Sequence, residues 1–346
     1  MLACVIHEAK DLRIETREIP ELEANEVLIR FGAGGICGSD LHYFAHGGVG
    51  DFKLREPMVL GHEVSGEVVK RGSDVSSLKV GDHVAVDPSR PCRACDYCLA
   101  GRSNLCRNMR FFGSAALFPH VQGGFSEFFK VADFQCHVVP ENIGYHVVAC
   151  AEPLAVTLHA VSRVGSLMGA NVLITGSGPI GVLTVAAAKL AGASQITVTD
   201  LFDEPLAIAL EMGATKAVNT ATDPEKLEEF QTNKGIFDVT FEASGNAKAL
   251  ETCVLSTRPG GSMVQIGILP PGMTNAPINR MLAKELNFFG TFRFHQEFKW
   301  AVDALTSERI NVNPILTAQF GFQDAVSAFE LAADRQKAMK VSLRLM

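Results

Sequence analysis

The 346-residue chain is poor in the features that would place it in a membrane, on a nucleic acid or in an oxidising compartment. It has no apolar run near the ~20 residues that a membrane-spanning helix needs. The most apolar helical candidate, Val182 to Ala188, is closed by Lys189. It has no basic block: 31 Lys+Arg against 38 Asp+Glu give a net charge of −7. That balance argues against the cationic face needed for sequence-independent nucleic-acid binding. The start, MLACVIHEAK, carries His7, Glu8 and Lys10 where a signal peptide needs an unbroken apolar stretch, so a cytoplasmic location is expected. Internal repeats and low-complexity tracts are also missing, which excludes solenoid and fibrous architectures. What remains, at 47% hydrophobic and 20% charged residues, is an enzyme-sized globular chain. Its length suggests two domains at roughly 100–200 residues each.

The first 150 residues hold short β-like runs (Val27 to Phe31, Val64 to Val69, His83 to Asp87) separated by turn signals. From Asn171 the texture changes. Strand-like runs at Asn171 to Thr175, Ile196 to Asp200, Phe237 to Ala243 and Met263 to Gly267 alternate with helical patterns at Ile180 to Leu190, Leu206 to Met212, Pro224 to Phe230 and Ala247 to Ser256. Such alternation predicts an α/β domain with a doubly wound parallel sheet. The expected division is 1–148 for a β-rich domain with a cysteine lobe, 149–290 for the α/β domain, and 291–346 for a return to the first, ending in a strand at Lys340 to Leu345.

Three residue patterns carry chemistry. Gly176-Ser177-Gly178-Pro179-Ile180-Gly181 is a G-x-G-x-x-G turn between the apolar strand 171–175 and a helix. Such a turn brings backbone N–H groups and the positive end of the helix to a pyrophosphate. Asp200 ends the next strand, where a carboxylate can bond the adenosine ribose of NAD and repel the 2′-phosphate of NADP. NAD is therefore expected, with NADP possible. Cys92, Cys95, Cys98 and Cys106 have the spacing of a closed four-thiolate structural zinc site. Arg90, Arg93, Arg102, Arg107 and Arg110 crowd the same stretch, so some of them are expected to balance the thiolates, electrostatically or through N–H···S contacts. The third pattern is dispersed: Cys37, His62, Glu63 and Glu152 offer the mixed sulfur, nitrogen and oxygen donors of a catalytic zinc. Spacing alone leaves open whether they meet. Cys4, Cys136, Cys150 and Cys253 are expected to be buried free thiols.

At these residues the sequence resembles the zinc-dependent medium-chain alcohol dehydrogenase superfamily, and within it the polyol (sorbitol) dehydrogenase branch. The resemblance rests on Gly35 to Asp40, Gly61-His62-Glu63, the four-cysteine lobe and the glycine turn. It implies a Rossmann domain, a β-rich GroES-like catalytic domain, one catalytic and one structural zinc, and a homo-oligomer (dimer or tetramer). It also implies Cys37, His62, Glu63 and Glu152 as the catalytic zinc set, with Glu63 and Glu152 not necessarily ligating together. The runs 37–43, 57–64, 109–115 and 118–121, together with Phe292-Arg293-Phe294, are similar to the L-idonate 5-dehydrogenases.

That similarity implies a secondary hydroxyl of a sugar acid activated at zinc and oxidised by hydride transfer to NAD, as in L-idonate to 5-keto-gluconate. Ser39 and His42 are candidates for moving the proton outward, against the alternatives of a helix cap and a structural histidine. Arg110, Arg293 and His120 are candidates for the substrate carboxylate, and substrate choice is expected in the cleft between the domains. Arg110 has a rival role in balancing the cysteine lobe, and Arg293 in bonding Glu152 or a zinc-bound water. The alternatives in play are a polyol dehydrogenase for sorbitol, xylitol or arabitol and, from another class, a non-catalytic nucleotide-binding scaffold.

Overall fold

The structure, a computed structural model, describes residues 1–345. The chain forms two compact units. One comprises Met1–Glu152, Phe298–Glu308 and the chain from Leu316 onward; the other comprises Pro153–Glu297 and Arg309–Ile315. Numbering only the strands of the two large sheets, the chain runs β1 (Glu26–Gly35), β2 (Glu63–Arg71), β3 (His83–Val86), β4 (Phe128–Ala132) and β5 (Cys136–Val138), then β6 (Asn171–Thr175), β7 (Gln195–Asp200), β8 (Lys216–Asn219), β9 (Phe237–Glu242), β10 (Thr257–Gln265) and β11 (Asn287–Gly290), and finally β12 (Leu316–Gly321) and β13 (Lys340–Arg344).

The first unit is built on a seven-stranded sheet of order β5-β3-β2-β1-β13-β12, with β4 also on β1. In β1 the side chains of Val27, Ile29 and Phe31 are all buried, the period-two pattern of a strand packed on a core. Phe31, Phe125, Phe129, Phe322 and Phe329 gather in that core. Three strand ends converge at one edge of it. Gly35 of β1 pairs with Glu63 of β2 and with Ser342 of β13, and the Ile36 N–H donates to the Val341 carbonyl at 2.9 Å. Cys37, at the exit of β1, Glu63, at the entry of β2, and Lys340, at the entry of β13, are therefore brought to one place by backbone pairing.

The second unit holds a six-stranded, wholly parallel sheet of order β8-β7-β6-β9-β10-β11. Chain direction across it reverses between β6 and β9, the switch point where such sheets bind ligands beyond their carboxyl ends. β8 and β11 were not legible in the sequence, being four-residue edge strands of mixed polarity. β10 starts at Thr257 rather than Met263. Its Pro259-Gly260-Gly261 run imitates a turn, and the ladder absorbs it by a register shift opposite Phe237 to Val239. Among the described residues no helix is long and apolar enough to cross a membrane.

Phe125 stands under the converging strand ends. It is fully buried, edge-on to Phe31 at 6.3 Å, and its backbone bonds both Cys4 and Leu60. Phe125→Ala is expected to cost roughly 3–5 kcal/mol. Equilibrium denaturation measures this; a loss under about 1 kcal/mol, no more than the average point substitution costs, would refute it.

Candidate active site

Helix α1 (Gly38–His46) begins directly after Cys37. Asp40, in its first turn, reaches back: its Oδ2 accepts the Cys37 N–H at 3.0 Å and its Oδ1 accepts the Gly61 N–H at 3.2 Å. The same Oδ1 lies 3.8 Å from Nδ1 of His62. One fully buried carboxylate thus ties the turn that carries Cys37 to the turn that carries His62. The result is that ligand atoms of Cys37, His62 and Glu63 all lie within 4.8 Å of one another. Sulfur, nitrogen and oxygen donors at such mutual distances fit a zinc ion. The ring of Phe111 lies against His62, 5.6 Å between centroids.

Glu152 opens helix α2 (Ala151–Ser162) and is buried, but it stands outside this tight set of ligand atoms. It is close enough to feel the set. Burial, and then the charges of Glu63 and Cys37, hold its carboxyl well above the usual carboxylate range, opposed by His62 and Lys340. Burial also pushes the Cys37 thiol up to about 12, with Glu63 adding to the effect and Lys340 opposing it. A metal bound there must displace that proton. Lys340 is a group the sequence did not announce. Its Nζ donates to both oxygens of Glu63 at 2.8 Å, with both side chains almost wholly buried. Burial pulls its pKa down, but Glu63 and Cys37 more than offset this and leave it above the ordinary lysine value.

Ser39 is half-buried, and its backbone N–H is directed at the Cys37 sulfur. His42, three residues on, is exposed on α1. Partial burial, with lesser effects from His46 and Arg335, lowers its pKa. The two lie on one helical face, from the half-buried end to solvent.

Cys92, Cys95, Cys98 and Cys106 also form a single cluster within 4.8 Å. The Cys95 sulfur lies 3.6 Å from that of Cys98 and 4.0 Å from that of Cys106. A tetrahedron with Zn–S of ~2.3 Å has edges of about 3.8 Å, so the cage fits the ion. Two of the expected arginines do meet the thiolates, but by their backbone N–H groups, Arg107 toward Cys95 and Arg93 toward Cys98, while the guanidinium groups go elsewhere. Arg90 pairs with Glu26 at 2.9 Å, Arg107 makes two 2.8 Å bonds to Asp96, and Arg93 lies over the Phe134 ring. Further backbone N–H groups meet the sulfurs: Cys95 to Cys92 at 3.3 Å, Cys92 to Cys106 at 3.2 Å and Asn108 to Cys106 at 3.4 Å. The N–H groups of Ala94 and Cys95 bring the Cys92 thiol down to about 6. A short loop wrapped around one point aims its own amides inward, while guanidinium groups find carboxylates nearby.

In the second unit Gly176 to Gly181 link β6 to helix α3 (Pro179–Leu190), with Gly178 as its N-cap and Pro179 at the first helical position. A Cβ on Gly181 would fall 1.8 Å from the Gly176 carbonyl oxygen, so only glycine closes this turn. Above Gly178 there is open space, where a pyrophosphate can approach the backbone. Asp200 ends β7. Its Oδ2 accepts the Ser177 N–H at 2.7 Å and its Oδ1 the Leu201 N–H at 2.7 Å, which fixes the carboxylate beside the turn. Glu242, at the end of β9, is a second buried acid that sequence reasoning passed over. It accepts the Ser244 N–H at 2.7 Å and the Gly245 N–H at 3.0 Å, shaping the loop against which Gly176 packs.

Comparison with known proteins decides the family. The family described as alcohol dehydrogenase GroES-like domain matches residues 23–141, and that described as zinc-binding dehydrogenase matches residues 179–307. The L-idonate 5-dehydrogenase (NAD(P)(+)) of Escherichia coli K12 is 42% identical over 99% of this chain and 98% of its own. The chain belongs to the zinc-binding alcohol dehydrogenase family. The crystal structure of that E. coli protein superposes with a TM-score of 0.95 over 99% of this chain and 98% of that one. The sorbitol dehydrogenase of Gallus gallus is 38% identical over 99% of this chain and 96% of its own. A short chain alcohol dehydrogenase from E. coli complexed with NADH has a TM-score of 0.90 at 28% identity, covering 100% of this chain and 99% of that one. Zinc and a nicotinamide dinucleotide are accordingly the cofactors of this dehydrogenase.

The three residues expected to read the substrate are placed differently in the dehydrogenase. Arg110 is exposed, in a short strand opposite Arg90 and next to Phe111. Arg293 belongs to the second unit, half-buried, with φ of +55° and its guanidinium 4.7 Å from the Phe292 ring centre. His120 is a correction. It is buried, its Nε2 accepts the Arg55 N–H at 2.9 Å, and its Nδ1–H donates to the Leu117 carbonyl at 2.7 Å. Both ring nitrogens are committed to backbone, so the ring braces its loop and neither nitrogen is left over for a substrate carboxylate.

The dehydrogenase should carry about two zinc ions per chain, one for each donor set. Cys37→Ala should lower this to about one with the fold retained. Cys98→Ser should also remove about one ion and lower the melting temperature as well. Elemental analysis of dialysed protein, with circular dichroism, checks both. An unchanged zinc content in Cys37→Ala would remove Cys37 from the ligands.

Proposed function

We propose that this dehydrogenase oxidises a secondary hydroxyl of a sugar acid with NAD, converting L-idonate to 5-keto-gluconate in the cytoplasm. The observation that carries the proposal is the Cys37, His62 and Glu63 set with Glu152 beside it, its carboxyl held well above the usual range, in a chain similar over its whole length to an L-idonate 5-dehydrogenase. When bound, zinc supplies Lewis acidity to the substrate hydroxyl, and NAD accepts the hydride.

The residues of the chain do the rest. Cys37, His62 and Glu63 hold the metal, and Asp40 keeps the first two in register. Glu152 keeps its proton more tightly than an ordinary glutamate and offers the substrate oxygen a hydrogen bond. Ser39 passes the released proton toward His42, whose exposed ring hands it to solvent. Asp200 binds the adenosine ribose and disfavours a 2′-phosphate; Asp203 and Glu204 follow it, with no cation in 201–205. Arg110 or Arg293 pairs with the substrate carboxylate, a match suited to a guanidinium fork. The sorbitol dehydrogenases among the relatives support polyol oxidation as the second reading.

The test is NADH formation by zinc-replete protein with L-idonate, D-sorbitol and xylitol, and with NADP in place of NAD. L-idonate with NAD should be turned over best, and Arg110→Leu or Arg293→Leu should raise KM for L-idonate about tenfold or more, the loss of one charge-assisted contact, with little change for sorbitol. Equal or better turnover of the polyols would move the protein to the second reading. Equal losses on both substrates would remove the arginines from carboxylate recognition.

We also propose a homo-oligomer. β11 leaves one edge of the six-stranded sheet unpaired, and the stretch around it exposes Phe288, Ile268, Met273, Ile278 and Leu282. Open apolar edges of this kind are normally covered. Sedimentation equilibrium should give a dimer or tetramer; a monomer at micromolar concentration would overturn this.

A further inference from the structure

Glu63 serves two neighbours at once. It contributes a ligand atom to the set shared with Cys37 and His62, and both its oxygens lie 2.8 Å from Nζ of Lys340. The pair is sealed from solvent, with side chains 1% and 3% exposed. Lys340 is held in place by the pairing of β13 with β1 and approaches the Ile36 carbonyl at 3.4 Å. The local sequence makes room for this contact. A Cβ on Gly35 would fall 2.1 Å from Oε2 of Glu63 and 3.3 Å from Cδ of Lys340. A carboxylate has about four lone-pair directions, and here both oxygens are already engaged by an ammonium that pairs with no other acid among the described residues. Ceding Glu63 wholly to a metal would leave a buried, unpaired cation, which is strongly unfavourable.

We propose that Lys340 is a positioning residue that shares Glu63 with the zinc ion, weakening Glu63 as a ligand and keeping the metal electron-poor and open to a substrate oxygen. This rests on the assignment of zinc to Cys37, His62 and Glu63. The charges support it. A divalent ion with one thiolate and one carboxylate is formally neutral, and Lys340 restores one positive charge beside it. Loss of a partner that merely orients a ligand typically weakens metal binding about 10–100-fold. Lys340 competes with the metal instead, so the sign of the effect reverses.

The test uses Lys340→Met and Lys340→Gln. The second can still donate a hydrogen bond to Glu63 and guards against a variant that fails to fold. In both, zinc loss from the Cys37 site to a chromogenic chelator should slow by about tenfold, at the low end of such effects. The visible spectrum of the cobalt-substituted protein, taken as a difference against Cys37→Ser, should change as Glu63 binds more fully. In a Glu63→Gln background, Lys340→Met should change neither readout, because the effect runs through Glu63. An unchanged spectrum and release rate with only a lower melting temperature would make the pair purely structural and overturn the proposal. Faster release would overturn it too, by making Lys340 an orienting group. A wild-type protein that binds no zinc at Cys37 would instead refute the zinc assignment itself.

Discussion

The antiparallel pairing of β13 with β1 is the constraint on which the site depends. β1 delivers Cys37, its other neighbour β2 delivers Glu63, and β13, on the opposite side of β1, delivers Lys340. Register does the positioning. Because side chains alternate along a strand, a slip of one residue would turn Lys340 away from Glu63 and send an apolar neighbour, Val341, toward the carboxylate. The ion pair adds little net stability by itself, since taking both charges out of water offsets most of their attraction. Its value is geometric: it tolerates only one arrangement of the three strand ends.

The two metal sites handle negative charge in different ways. The four-cysteine lobe is a surface loop that folds its own amide N–H groups onto the sulfurs. The Cys37 site lies where strand ends converge, at the exit of β1 and the start of α1. There the acids Glu63, Glu152 and Asp40 sit close together, and one buried lysine, Lys340, pairs with Glu63. The first solution suits a closed ion that holds a lobe together. The second leaves charge and protons adjustable, as a reacting centre requires.

What could be read from the sequence was local. The glycine turn, Asp200 and the four-cysteine spacing each lie within a few tens of residues, so the chemistry and the spacing appear together. The Cys37 set was legible as donor types but not as a place, because its members are joined by sheet pairing that leaves no periodic mark. Lys340 lies 277 residues from Glu63 and reads as an ordinary strand-start lysine. Asp40 was visible inside its motif, but its tie to Gly61 and His62 was not. The arginines were legible as neighbours of the thiolates but not in how they act, because a count of charges does not show that Arg93 and Arg107 use backbone N–H groups while the guanidinium groups of Arg90 and Arg107 turn to Glu26 and Asp96. His120 looked like a substrate contact because a sequence does not show that both ring nitrogens are taken by backbone.

The late position of β13 has a bearing on biosynthesis. A ribosome releases the chain from its N-terminus at about 5–20 residues per second, and the strands β6 to β11 emerge together and can pair while translation continues. The surroundings of the Cys37 centre are incomplete at that stage, because β13 is still being made. Until residue 340 clears the exit tunnel, Glu63 has no countercharge and β1 keeps an open flank. A nascent chain would therefore carry a finished nucleotide fold beside a first unit whose sheet still lacks β12 and β13.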